Sequence, residues 1–270
     1  MRSFKIIYFL PLLLVLSCAT PELAPDRPFT QADEEKINRV LNDIKGINES
    51  APSTIDAAFR IDGLFGKKKF KASGYFLYKE SPATARITFV DSVFKSTLTT
   101  FVQDGKTIKV HFPVENTLIV DNTETIKLED YMPVTVNYSF LRQMITARIP
   151  MIQDYKITRG LLPKKEDGSS SNEIYIIIEN EIYYETISFK NNLPTRILLV
   201  EKKSRKKYEF YYMEPSSSNG KFHFKGIEFI EPDTGNKVEI HFTKYKTNRS
   251  ISRSRITGLD VKNNVKIFRK

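Results

Sequence analysis

From Thr54 onward the apolar residues of this chain recur at every second position. Ile55, Ala57, Phe59 and Ile61 come first, then Phe70, Ala72, Gly74, Phe76 and Tyr78, then Ile87 and Phe89, then Ile108, Val110 and Phe112. A period of two places alternate side chains on opposite faces of an extended chain, so these segments are half-buried strands. Gly66-Lys67, Ser81-Pro82, Asp104-Gly105 and Pro113 to Asn116 punctuate them. The short spacings favour antiparallel hairpins over crossover helices. The pattern resumes at Asp154 to Thr158, Glu173 to Phe189, Arg196 to Glu201, Tyr208 to Met213, Phe222 to Ile230 and Lys237 to Tyr245. A sheet of about ten strands with one apolar face must curl, close on itself or be covered.

Little helix is available to cover it. Ile37, Val40, Leu41, Ile44 and Ile47 form an i, i+3, i+4, i+7 stripe behind capping residues at Thr30 to Asp33, which predicts one amphipathic helix before the sheet. Residues Tyr138 to Arg148 predict a second helix in the middle of the chain, with a short turn at Ile126 to Tyr131 before it. The expected class is β-rich α+β, a large antiparallel sheet curled around its few helices. The loops Lys164 to Asn172 and Ser216 to Gly220 interrupt the strands without changing their period, so neither reads as a domain linker. Two short apolar alternations around Val261 and Ile267 remain unplaced.

The amino terminus constrains the compartment. Arg2 and Lys5 precede an unbroken apolar run from Ile6 to Leu16, too short to span a bilayer core, which needs about twenty residues. It reads as an export signal. Val15-Leu16-Ser17-Cys18 resembles the lipobox of bacterial lipoproteins, which implies a diacylglycerol thioether on Cys18, cleavage after Ser17 and acylation of the new amine. The alternative is an ordinary secretory signal with a chance cysteine. Cys18 is the chain's single cysteine, and Pro21, Pro25 and Pro28 follow it as a tether. Ala19 stands where aspartate commonly retains such proteins in the inner membrane, so the resemblance implies the outer membrane, lipid-anchored on its periplasmic face. The expected organisation is signal peptide 1–17, lipidated tether 18–33, one domain 34–250 and a C-terminal extension 251–270.

Composition narrows the chemistry. One cysteine, three histidines and no tryptophan exclude a disulfide framework and a Cys-rich metal module. His111, His223 and His241 each sit between two apolar strand residues, so all three are expected to point to solvent. No metalloprotease, nucleophile-elbow or phosphate-loop motif occurs, and no cofactor, metal site or enzymatic role is expected. The net charge of +10 suits an anionic partner. Export argues for membrane over nucleic acid. The run Lys202 to Lys207 reads either as a solvated hairpin tip or as a contact for anionic headgroups, at about 1 kcal/mol per basic residue.

The segment Met132 to Pro150, with Leu141, Arg142, Gln143 and the closing Pro150, resembles the helical segment of LolB, the outer-membrane lipoprotein receptor. Met144 stands for that family's tryptophan and Arg148 for its glycine. Phe59 to Gly63 and Lys71 to Tyr78 fit its first two strands, Arg86 to Phe101 its third strand, projecting loop and fourth strand, and Asp233 to Ile240 its closing hairpin. The resemblance, spanning roughly Lys36 to Tyr245, implies an unclosed β-barrel whose apolar concave face holds acyl chains beneath a helical lid. It also implies a monomer that receives lipoproteins from a LolA-like periplasmic carrier. Exposing about three acyl chains to water would cost of order 35 kcal/mol at about 0.8 kcal/mol per methylene, so such a hand-over needs an enclosing cavity.

Phe59, Phe76, Phe89, Phe112, Leu141, Met144 and Ile145 are the expected lining of that cavity, with an ordinary filled core as the alternative for each. Val93 and Phe94, at a hairpin tip, are the expected membrane-insertion pair, unless the tip folds back into the core. A lipid-binding or structural outer-membrane lipoprotein without a transfer role is the alternative function.

Overall fold

In a computed structural model of the chain, residues 29–91, 93–124, 126, 130–131, 138–165, 171–218 and 221–269 are described. The signal segment, Cys18 and most of the tether lie outside them, as do residues 132–137 of the LolB-like segment and 166–170 of the Gly168 loop.

The described strands, in chain order, are β1 (Phe29–Gln31), β2 (Thr54–Phe65), β3 (Lys68–Lys79), β4 (Thr84–Asp91), β5 (Thr97–Asp104), β6 (Thr107–Phe112), β7 (Thr117–Asn122), β8 (Lys156–Pro163) and β9 (Glu173–Glu179). They continue with β10 (Tyr183–Lys190), β11 (Leu193–Glu201), β12 (Lys207–Met213), β13 (Ser216–Ser218), β14 (Lys221–His223), β15 (Gly226–Glu231), β16 (Asn236–Thr247) and β17 (Lys266–Arg269). The helices are α1 (Glu34–Glu49), α2 (Tyr138–Ile145) and α3 (Arg253–Thr257).

Fifteen strands form one sheet in the order β1-β8-β9-β10-β11-β12-β15-β16-β2-β3-β4-β5-β6-β7-β17, and β13 and β14 form a separate ribbon. β1 and β17 do not meet, so the sheet is unclosed. Every pair in the main sheet is antiparallel except β7 with β17. The turns at Gly66-Lys67, Ser81-Pro82, Asp104-Gly105 and Pro113 to Asn116 each separate two paired strands. The period of two appears directly as burial: Ile55, Ala57, Phe59 and Ile61 of β2 are buried, with more exposed residues between them.

The concave side is partly filled and partly hollow. Ile176, Ile178, Ile187, Phe189 and Ile197, on β9 to β11, join Val40 and Ile44 of α1 and Ile149 and Ile152 after α2 in one buried cluster. α1 begins at Asp33, whose carboxylate accepts the Lys36 N–H at 2.9 Å, as an N-cap should. Near its far end, Asn48 donates to the Ile149 carbonyl at 3.0 Å and accepts the Ile149 N–H at 2.7 Å.

The convex side carries the segment that sequence leaves unplaced and one departure from sequence expectation. The residues around Val261 and Ile267 belong to a tail laid over the sheet. Ile251 and Ile256 bury against Leu77, Arg253 holds Asp104 with two hydrogen bonds of 2.8 and 2.9 Å, Arg86 donates to the Gly258 carbonyl, and β17 pairs with β7. His111 faces away from the concave side as expected, but it is only 7% exposed, not solvent-facing. Burial, with Arg86 nearby, holds its pKa below the usual histidine value, against the pull of Asp260. His223 is exposed and His241 half-exposed, hydrogen-bonded to Glu239 at 3.0 Å.

Candidate functional site: an apolar cavity under a pinned helix

A cavity of about 350 Å3 opens on the concave side. Its walls come from seven strands adjacent in the sheet: Phe210 of β12, Ile227 and Phe229 of β15, Val238, Ile240 and Phe242 of β16, Phe59 and Ile61 of β2, Phe70, Ala72 and Phe76 of β3, Ile87 and Phe89 of β4, and Leu98 and Phe101 of β5. Tyr131, Tyr138, Leu141 and Ile145 complete it from the side of α2. The lining is almost wholly aliphatic and aromatic, as expected of a site built for apolar ligands.

Ring packing shapes this wall. Phe59 meets Phe89 edge to face with centroids 5.9 Å apart, Phe89 meets Phe101 likewise at 6.0 Å, and Phe101 meets Tyr131 at 6.2 Å. Across β2 and β3, Phe59 pairs with Gly74 and Phe70 pairs with Gly63. A Cβ on either glycine would overlap the opposing ring. The missing side chains let both rings lie flat over the partner strand, a glycine–aromatic pairing known from sheets.

Of the residues expected from sequence to line a cavity, Phe59, Phe76, Phe89, Leu141 and Ile145 have surface on this one. Phe112 and Met144 do not. Phe112 is on β6, beyond the last lining strand in the sheet order, and packs against the main core cluster. Met144 is fully buried on α2 within that cluster. The helical spacing that groups it with Leu141 and Ile145 sets its face, not its depth. Phe70, Leu98, Phe101, Phe210, Phe229 and Phe242 were not anticipated. For Phe70 the in-phase spacing Phe59…Gly63 and Phe70…Gly74 is an available signal.

α2 and the residues just after it are held over the cavity by side chains from three strands, β5, β16 and β12. The side-chain amide oxygen of Gln103 on β5 accepts from the Tyr138 hydroxyl at 2.8 Å and from Arg142 at 3.3 Å. Tyr245 of β16 donates to the Ile145 carbonyl at 3.0 Å and Tyr212 of β12 to the Arg148 carbonyl at 2.7 Å. The Ile145 carbonyl is one that the end of the helix leaves without an intrahelical partner, and the Arg148 carbonyl lies just past the helix. Ala147 ends the helix in the left-handed conformation at φ 59°, with Arg148 N–H reaching back to Gln143 and Ala147 N–H to Met144, the pattern of a Schellman cap. The left-handed residue is thus one position before Arg148. Beyond it the buried Glu185 of β10 accepts the Ile152 N–H at 2.8 Å through Oε2, while its Oε1 has no hydrogen-bond partner among the described residues. Burial pushes this carboxyl up to about 8 and raises the pKa of the Tyr138, Tyr212 and Tyr245 hydroxyls.

The exposed lining residues Phe70, Lys71 and Leu98 mark the mouth. Beside it stands the β4–β5 tip, where Val93 is 77% and Phe94 84% exposed. The tip does not fold back. The Asp91 carboxylate accepts the N–H groups of Val93 and Phe94 at 2.8 and 2.6 Å, and Lys95 turns the chain at φ 57°. The two side chains are therefore held outward by a defined turn.

No family model matches the chain, and neither does any curated protein. Solved structures do. A domain from Vibrio parahaemolyticus described as an outer-membrane lipoprotein-sorting protein superposes with a TM-score of 0.59 at 11% identity, covering 83% of this chain and 97% of its own. The fold is LolA-like. A LolA-superfamily protein from Nitrosomonas europaea gives a TM-score of 0.55 at 12% identity, covering 81% and 97%. A DUF1329-family protein from Desulfovibrio piger gives 0.56 at 11%, covering 82% and 97%. At these identities the likeness speaks for the LolA-like fold alone. The LolA-like sheet accounts for the wide, one-sided hollow beneath α2.

Proposed function

We propose that this protein is a non-enzymatic, lipid-anchored outer-membrane protein that binds acyl chains in the cavity beneath α2 and takes lipoproteins from a LolA-like periplasmic carrier for insertion into the bilayer. The observation that carries the reading is the apolar cavity opening beside an outward-held apolar pair, Val93 and Phe94. An acyl chain bound there is shielded from water, at about 0.8 kcal/mol per methylene, and the tip offers a route from cavity to membrane. The fold of the sorting-protein domain from Vibrio parahaemolyticus supports the same reading. Cys18, at the end of a lipobox-like sequence, supplies the anchor.

One observation favours a narrower reading. An apolar cavity of about 150 Å3 accommodates benzene, so 350 Å3 gives room for roughly fourteen carbons. That is one acyl chain, not the three of a triacylated lipoprotein. A lipid-binding lipoprotein without a transfer role fits this capacity.

Native mass spectrometry of the purified protein tests both. A bound species with acyl chains supports the cavity reading, and transfer of a lipoprotein from a loaded carrier to the protein separates receptor from lipid binder. Protein that purifies free of lipid and takes up no acyl probe overturns both.

A further inference from the structure

The antiparallel register brings six turns to one end of the sheet. Phe65 pairs with Lys68, Ala72 with Asp91, Phe112 with Thr117, Leu64 with Lys237, Val200 with Lys207 and Tyr184 with Glu179. The turns β2–β3, β4–β5, β6–β7, β9–β10, β11–β12 and β15–β16 therefore share the end at which the cavity opens. Exposed apolar residues collect there: besides Val93 and Phe94, Val114 is 83% and Ile182 55% exposed.

Two of these turns are basic. Lys67, Lys68 and Lys69 cap β2–β3, and Lys203, Arg205 and Lys206 cap β11–β12. All six are exposed, and among the described residues none forms a salt bridge. Their neighbours Lys71 and Lys202 are paired, with Asp62 at 3.2 Å and Glu179 at 2.7 Å. The nearby acids are engaged: Asp91 holds the apolar tip, Asp233 accepts the Lys207 N–H at 3.2 Å and Glu201 accepts the Ser204 hydroxyl. Glu115 and Glu181 lie on the other turns, β6–β7 and β9–β10.

We propose that this end of the sheet is a docking face for an anionic bilayer surface, in which the two lysine-rich turns bind phosphate headgroups on one side of the Val93–Phe94 tip. Unpaired cations attract an anionic leaflet within a Debye length, roughly 10 Å at 0.1 M salt. Exposed apolar side chains on the neighbouring turns match the layer just below the headgroups. The arrangement turns the cavity mouth toward the membrane. The inference deepens the acyl-chain reading of the cavity and is tested apart from it.

The test is co-sedimentation of the full-length protein with vesicles of mixed phosphatidylglycerol and phosphatidylcholine and with vesicles of phosphatidylcholine alone. A lipid anchor contributes to both, so the ratio reads the turns. The wild type is expected to prefer the anionic vesicles about tenfold or more at low salt and to lose that preference at high salt. Lys67→Glu/Lys68→Glu/Lys69→Glu with Lys203→Glu/Arg205→Glu/Lys206→Glu removes the preference. The corresponding glutamine variant, which adds no repulsion, lowers it, and all are exposed changes whose thermal unfolding checks the fold. A wild-type ratio near one, as expected if these turns meet an acidic protein instead, overturns the proposal, as does an undiminished ratio in the charge-reversed chain. A cavity blocked by Ala72→Phe should keep the ratio while losing its acyl chain, so failure of the cavity reading and failure of the docking face are told apart.

Discussion

The carboxylate of Asp91 accepts the backbone N–H of Phe94 across 2.6 Å, and this bond fixes the direction of the most exposed aromatic side chain in the described structure. It converts a short hairpin connection into a rigid projection. Val93→Glu or Phe94→Glu puts a charge on that projection without touching the core, so thermal unfolding should stay at the wild-type temperature while lipoprotein delivery to vesicles is abolished. Delivery at wild-type rates by both variants would sink the insertion role. Asp91→Ala should cost about 1 kcal/mol and weaken delivery less than either charge.

Ala72 lines the cavity near its mouth and is buried on β3. Ala72→Phe should occupy the space an acyl chain needs. Fluorescent fatty-acid binding is expected to fall at least about tenfold while stability drops by about 1 to 3 kcal/mol, the usual cost of overpacking. Unchanged probe affinity in a folded variant would place the ligand elsewhere.

Asn48 is the joint between α1 and the segment that follows α2, with one side-chain amide serving both the N–H and the carbonyl of Ile149. Asn48→Ala leaves those groups unpaired in a half-buried position. The expected loss is about 2 kcal/mol in denaturant unfolding, with faster hydrogen exchange confined to α2 and residues 146–152. Exchange rates equal to wild type in that segment would show that the tyrosine contacts hold the helix without Asn48.

Glu185 gives the fold a pH dependence. Its carboxyl is pushed up to about 8 by burial and returns to the ordinary range near 4.3 on unfolding. A raised folded-state value means that the native state binds the proton more tightly. The stabilisation is complete below the unfolded value and is lost as pH rises from there through about 8. Urea midpoints should therefore fall between acidic and mildly alkaline pH, by an amount worth up to about 5 kcal/mol. Glu185→Gln, which cannot ionise, should flatten the profile and exceed wild type at its alkaline end. A wild-type midpoint independent of pH over that range would contradict the burial of this carboxyl.

The strands were legible because alternation is a local property. Ile55 to Ile61 and Phe70 to Tyr78 announce their inward face in the sequence itself, and the hairpin turns between them carry their own residues. Depth along the arc is not local. Phe112 has the same phase as Val110, yet it lies one strand past the cavity. Met144 shares its helix face with Leu141, yet it sits in the filled part of the core. The expectation for His111 fails for the same reason, since the charged neighbours identified near it, Arg86 and Asp260, are distant in sequence, and no window around Val110 contains them. The Glu185 contact was equally out of reach, because an acid in a strand reads as solvent-facing until its partner, Ile152, is known.

An open sheet of this size leaves two strand edges where another chain could add by backbone pairing. Both edges are closed off by brevity. β1 contributes three residues, and β17 contributes four that are all exposed and include Lys266 and Arg269. Short and charged edge strands are poor templates for intermolecular pairing. By laying its tail along β7, the chain replaces a six-residue edge with one too short to nucleate aggregation. A barrel left unclosed can thus keep an adaptable interior without becoming a seed for polymer growth.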